Sequence, residues 1–295
     1  MFDLIIANGT VIDGTGAPGI KSDVGIVGER IEAIDVLVGA EARRIIDAKG
    51  LVVSPGFVDP HTHSDADLLI DPQHAYGLRQ GITTEILGLG GISFAPLSKS
   101  NYRMYTRWLV GILGETPEDA DMSSITSFRA NYHRKVAINT AYLVPSGAIR
   151  IEVSGFRSGR MDEDQMQAAV RLVRESLDQG AVGFSNTSHN YPGAWSDTAE
   201  LIELAKAVRD GGGIYVDASE PLNARRAYGA TQGSPEWLEI ARKSAARMHF
   251  AHYRTGPRTH GKVNEIMADR DAARAEGIDF TLDIYPYPTG GTVPV

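Results

Sequence analysis

From residue 56 onward the sequence repeats one pattern: a short apolar run, then a stretch with helical periodicity. The runs fall at 56–59, 83–87, 137–143, 181–184, 213–216, 248–251 and 279–283. Apolar runs this short, alternating with helices, predict a parallel β-sheet with crossover helices. The helical stretches are legible from their spacing. Residues 162–179 place Met166, Ala169, Val170, Val173 and Leu177 on one face. Residues 197–208 open with Asp197 as N-cap and Glu200 three positions on, a capping-box pattern. Residues 235–246 and 263–275 complete the set, and Gly180, Gly211 and Gly277 sit where C-caps belong. Such a chain can build an open doubly wound sheet or a (β/α) barrel. Polar motifs fall repeatedly at the C-terminal ends of the strands, which is where barrel active sites lie. No Gly-x-Gly-x-x-Gly opens a helix after the first strand, so a dinucleotide site is not indicated. Gly88-Leu89-Gly90-Gly91 lacks the Lys-Ser/Thr of a phosphate loop.

The first fifty residues read differently. Runs at 4–6, 10–12, 24–27 and 30–34 are β-rich, with turn or hairpin signals at Asn8-Gly9, Asp13-Gly14 and Gly28-Glu29. Residues 44–47 and 51–53 continue the pattern, which stops at Ser54-Pro55-Gly56. The expected division is a small β unit at 1–54 and a (β/α) unit at 55–295. The 295 residues are 42% hydrophobic and 22% charged, which excludes a disordered or fibrous chain. A net charge of −8 with no Lys/Arg run speaks against nucleic-acid binding. No stretch approaches the ~18 uninterrupted apolar residues of a membrane span, and no signal peptide is visible. A soluble, cytoplasmic protein is the default expectation, and a homo-oligomer is compatible with it. The absence of Cys excludes disulfides, thiolate ligands and a Cys nucleophile.

The segment Pro55-Gly56-Phe57-Val58-Asp59-Pro60-His61-Thr62-His63-Ser64-Asp65 carries the strongest chemical signal. Residues two apart on a strand share a side, so His61 and His63 are expected to face one point, which suits a divalent cation such as zinc. His252 follows the run at 248–251. Its parity matches Met248 and Phe250, whereas His249 is the better structural histidine.

Several motifs, taken in order, resemble the N-acyl-D-amino-acid deacylases of the amidohydrolase superfamily. They begin with Asp3-Leu4-Ile5-Ile6-Ala7-Asn8-Gly9-Thr10-Val11-Ile12-Asp13-Gly14 and continue through the His61/His63 segment. Gly81-Ile82-Thr83-Thr84-Glu85, Gly91-Ile92-Ser93-Phe94-Ala95-Pro96 and Gly180-Ala181-Val182-Gly183-Phe184-Ser185 follow. The last is Asp283-Ile284-Tyr285-Pro286-Tyr287-Pro288-Thr289-Gly290. The resemblance implies a TIM-like metallo-dependent hydrolase barrel, here with seven of eight units, beside a small β-sandwich portion. It implies hydrolysis of an N-acyl-D-amino acid by a metal-bound water, with zinc or another divalent cation as cofactor. His61, His63 and His252 match ligand positions, and Arg254 and Tyr285 match positions that bind the substrate carboxylate. The implied general acid and base, an Asp closing the eighth strand, falls beyond residue 295.

The chain also departs from the family. Gly90 stands where a Cys or acidic ligand is expected, and Ala218 where a His ligand is expected. Ser146 replaces a His after the third strand, the segment from Ser185 to Ser188 lacks the family's polar pattern, and Gly291 replaces a Ser. Glu220 and His189 are the candidate substitute ligands; a solvated or paired side chain is the simpler account of each, as it is for Glu85. These losses predict very low turnover and keep a second reading open, a catalytically silent or incomplete relative with a binding or assembly role. A cyclic-amide hydrolase is disfavoured, because no Lys stands at a strand end to be carbamylated.

Overall fold

The structure is a computed structural model and describes residues 1–218, 233–255, 260–285 and 287. Glu220 and Gly291 lie outside the described residues. The chain divides into two compact units, Met1–Phe57 and Val58–Val295.

The first unit is one five-stranded sheet of β1 (Phe2–Val11), β2 (Ile20–Val27), β3 (Arg30–Asp35), β4 (Ala42–Asp47) and β5 (Val52–Val53). The order is β3-β2-β1-β4, with β5 continuing beside the second half of β1. The hairpin expected at Gly28-Glu29 forms, with Gly28 at φ +58°. The turn expected at Asn8-Gly9 does not. Residues 4–6 and 10–11 belong to a single strand, β1, whose register slips between Ile6 and Gly9. Asn8 takes the left-handed φ of 64° as a bulge, held by Asp23 on its N–H and Asp47 on its side-chain amide.

The second unit alternates strands and helices as the periodicity predicts. β6 (Phe57–Asp59) leads to the short helices α1 (Asp67–Ile70) and α2 (Ala75–Arg79). β7 (Ile82–Leu87) is followed by α3 (Lys99–Leu113) and α4 (Ile125–Tyr132), and β8 (Asn139–Pro145) by α5 (Ser146–Ser154) and α6 (Glu163–Asp178). Then come β9 (Gly183–Asn186), α7 (Thr198–Asp210), β10 (Ile214–Asp217), α8 (Gly233–Ser244), β11 (Arg247–Phe250), α9 (Val263–Ala275) and β12 (Phe280–Leu282). All seven predicted runs are strands, and they lie side by side in sequence order from β6 to β12. Each resolved pairing from β7 onward is parallel.

Side chains alternate along these strands and sort into two cores. Leu87, Tyr142, Val144, Tyr215, Met248 and Phe250 join the main cluster, which includes helix residues such as Val173, Leu204 and Trp237. The intervening Leu143 and Val216 join Leu89, Ala218 and Ala251 in a second, small cluster. This period-two sorting is the signature of a sheet with both faces covered.

Two local expectations are corrected. At α7, Asp197 caps the helix by accepting the Glu200 N–H, but the Glu200 side chain does not close the box. It is drawn instead to the buried Arg150 guanidinium at 2.5 Å and to the Ser196 hydroxyl. The full capping box is at α6, between Asp162 and Gln165. Among the C-cap glycines, Gly180 and Gly277 are left-handed, but after α7 the left-handed residue is Gly212 rather than Gly211. Among the described residues no helix is long and apolar enough to cross a membrane.

Candidate active site

The site is built from residues just past the strand ends. His61 and His63 follow β6 rather than lying on it, and the His61 N–H donates to the Asp59 carboxylate at 3.0 Å. Their rings are edge-on, with centroids 6.0 Å apart. His252 follows β11, and its ring centroid is 5.0 Å from that of His61. Strand parity does not reach it. His252 takes a left-handed φ of 39° in the turn after Ala251, and this swings its ring to the side of His61, away from the helix-facing Met248 and Phe250.

Asp283, the residue after β12, holds the group together. Its carboxylate lies 3.2 and 3.3 Å from His61 Nδ1, 2.9 Å from His249 Nε2, and accepts the His252 backbone N–H at 2.6 Å. β6 and β12 are the two edges of the seven-stranded sheet. A contact between the residues that follow them requires the sheet to curl toward closure, which selects the barrel over an open doubly wound sheet. Burial alone would raise the Asp283 pKa. The hydrogen bonds from His249 and His61, the nearby His61 charge and the His252 N–H outweigh it and hold the carboxyl well below the usual range. His249 is therefore part of the site, with its other nitrogen 2.7 Å from the Thr281 hydroxyl. Neither Asp283 nor His249 is among the site residues expected from the sequence. The available signal was the place of Asp283 directly at a strand's C-terminal end.

His63 and His252 are both pushed down to a pKa of about 4, by burial first and then by neighbouring imidazoles. Both are neutral at pH 7. His189, hydrogen-bonded to the Thr187 hydroxyl, is one of the groups that depress His252, so it stands close to the cluster. A side chain at Gly90 would project between His63 and the Asn190 amide, whose atoms lie 3.8 and 3.6 Å from the Cβ position. Gly90 itself adopts φ +66° and its carbonyl accepts from Asn190. Ala218 is buried in the small apolar cluster. Arg254 stacks over the Tyr285 ring, 5.7 Å from its centroid, beside the turn that carries His252.

The donor chemistry suits a divalent ion, because neutral imidazoles are good ligands and the buried His63 Nδ1 has no hydrogen-bond partner. The placement does not. Among the described residues no three His, Asp or Glu side chains are grouped so as to hold one ion. His61, His63 and His252 are neighbours without forming a cage, His61 is turned to Asp283, and neither Gly90 nor Ala218 offers a donor.

A profile described as "Amidohydrolase family" matches residues 44–111. The N-acyl-D-glutamate deacylase of Alcaligenes xylosoxydans xylosoxydans is 35% identical over 99% of this chain, and the D-aminoacylase of the same organism is 32% identical over 99%. The chain spans 58% and 59% of those two relatives. The crystal structure of the Bordetella bronchiseptica N-acyl-D-glutamate deacylase, with zinc and a phosphonate mimic of the tetrahedral intermediate, superposes with a TM-score of 0.85 at 31% identity. That match covers 97% of this chain and 59% of the other. The curled parallel sheet, the histidines past its first and sixth strands and a similarity that runs the length of the chain agree in likening it to the amidohydrolase superfamily and, within it, to the N-acyl-D-amino-acid deacylases.

Proposed function

We propose that this chain acts on N-acyl-D-amino acids, in the hydrolysis of the amide to a carboxylate and a D-amino acid. The observation that carries this reading is the gathering of His61 and His252 around Asp283, with His63 beside His61, and with Arg254 and Tyr285 two residues beyond His252 and Asp283. A guanidinium grips a carboxylate bidentately, so Arg254 binds the substrate carboxylate while Tyr285 fixes the guanidinium plane. That places the amide toward the histidines. Asp283 orients His61 and His249 through its hydrogen bonds. His61, His63 and His252 stand where the resemblance calls for contacts with a divalent ion such as zinc, but as placed they form no cage for one, so no step is assigned to a metal.

The apolar surroundings of Ala218 and the bare Gly90 favour a second reading in the same pocket, binding with little turnover. The test is to measure binding and hydrolysis of N-acetyl-D-amino acids by the purified chain, with and without added zinc. Binding that Arg254→Ala weakens, with very slow release of D-amino acid, supports the reading. Affinity unchanged by Arg254→Ala, with no D-amino acid released under any condition, overturns it.

A further inference from the structure

Two of the chain's three tryptophans stand outside the core, in a row of rings that the proposed chemistry does not use. Trp108 on α3 is 56% exposed and lies 4.7 Å, centroid to centroid, from Phe156, which follows α5. Phe156 lies 5.5 Å from Trp195, and Trp195 lies 5.0 Å from Tyr191, itself 37% exposed. The third tryptophan, Trp237, is buried in the core. Phe156 and Trp195 are half-buried between the exposed Trp108 and Tyr191, and an aromatic patch that reaches the surface at both ends is the kind of surface that marks a binding groove.

The row is tied to the active site through the segment after β9. His189 stands close enough to His252 to depress its pKa, Asn190 donates to the Gly90 carbonyl beside His63, and the next residue is Tyr191. The Tyr191 carbonyl accepts from the Tyr105 hydroxyl on α3, which fixes the segment against the helix that carries Trp108. At ~3.5 Å per residue, Tyr191 begins within about 7 Å of His189 along the chain.

We infer that the row Tyr191–Trp195–Phe156–Trp108 is the binding surface for the apolar N-acyl group of the substrate. The inference rests on the proposed function and adds a substrate class to it. Arg254 and Tyr285 follow β11 and β12, His61 and His63 follow β6, which lies between those strands and β7 in the curled sheet, and the aromatic row comes from the helices and loops that follow β7, β8 and β9. In an N-acyl-amino acid the carboxylate and the acyl chain leave the scissile amide in opposite directions. A substrate gripped by its carboxylate at Arg254, with its amide at the histidines, therefore sends its acyl chain toward Tyr191. That end offers aromatic faces, so the preferred acyl group is aromatic or medium-chain rather than acetyl.

Intrinsic fluorescence tests this directly, because two of the tryptophans are in the row. N-octanoyl-D-leucine and N-acetyl-D-leucine are titrated into the protein and its Trp195→Ala, Trp108→Ala and Arg254→Ala variants, and folding of each variant is checked by circular dichroism. The octanoyl compound is expected to bind at least about tenfold more tightly, since each buried methylene contributes. Trp195→Ala and Trp108→Ala should remove that preference, while Arg254→Ala weakens both compounds by the same factor. Equal affinity for the two compounds, both sensitive to Arg254→Ala, overturns the inference and leaves the proposed function standing. An octanoyl preference that needs Trp195 but ignores Arg254→Ala supports the row and counts against the carboxylate grip. Binding of neither compound overturns both. A concentration-dependent dimer dissolved by Trp108→Asp, with no acyl preference, makes the row a contact between copies and overturns the inference.

Discussion

His61 and Asp283 follow the two opposite edge strands of a seven-stranded sheet, yet His61 Nδ1 and Asp283 Oδ1 are 3.2 Å apart. The same carboxylate binds His249 and the backbone of His252, so one side chain ties the β6, β11 and β12 ends together. Asp283→Asn should therefore destabilise the protein by about 1–3 kcal/mol at pH 7, the usual cost of weakening a buried charge-assisted network. The pH dependence has a definite sign. The folded pKa of Asp283 is lowered, so its contribution is fully present above its unfolded value near 3.8 and is lost as the pH falls through the folded value. In denaturant melts the deficit of Asp283→Asn should be constant from pH 7 to about 5 and shrink below 4. A deficit that does not shrink in acid would mean the carboxylate is not the group responsible.

Asp65 behaves in the opposite way. It is fully buried, and burial pushes its carboxyl up to about 7, against the hydrogen bonds from the Ser93 hydroxyl and the Gly88 N–H. A raised folded pKa gives stability that is present below the unfolded value and is lost as the pH rises through the folded value. Between pH 4 and pH 7 the native protein should lose stability relative to Asp65→Asn, which stays neutral throughout. Urea midpoints of the two proteins across that range provide the check, and parallel curves would show that Asp65 is ionised in the folded state at low pH.

Much of this fold is legible in the sequence, because seven strands announce themselves by apolar runs and helices by their spacing. The failures share a physical cause: local rules ended where tertiary partners began. Asn8-Gly9 has the chemistry of a hairpin, but Asp23 and Asp47 capture Asn8 in a bulge within a continuing strand. Glu200 has the position of a capping-box residue, but the buried Arg150 guanidinium offers it a stronger partner. In the site, His61, His63 and His252 were readable as neighbours from motifs. Strand parity misplaced His252, because its left-handed turn lies beyond the strand. Asp283 and His249 were not assigned to the site, since their role depends on the ends of opposite sheet edges meeting.

The Arg150–Glu200 pair is a buried ion pair between α5 and α7, with the Ser196 hydroxyl also bonded to Glu200 and the Gly159 carbonyl accepting from Arg150. Removing one partner leaves an uncompensated charge in the core. Glu200→Ala should cost on the order of 3–5 kcal/mol, whereas Arg150→Met with Glu200→Leu together should cost much less. A double-mutant cycle by chemical denaturation measures this, and additive losses would show that the two charges are stabilised independently.

Ala218→His tests what the histidine cluster lacks as a metal centre. Ala218 follows β10 in the small apolar cluster, at the position where the resemblance calls for a histidine ligand. Placing an imidazole there costs stability without metal, because a large polar ring enters a site lined by Leu89, Leu143 and Val216. Zinc should return part of that stability by binding the folded state alone. Ala218→His is therefore expected to melt at a lower temperature than the native protein in chelator and to gain more from added zinc than the native protein does. Removing His252 in the same background should abolish the gain, because the new ring would then have lost a nearby partner ligand. Equal zinc responses in the native protein and Ala218→His would show that residue 218 does not face the histidine cluster.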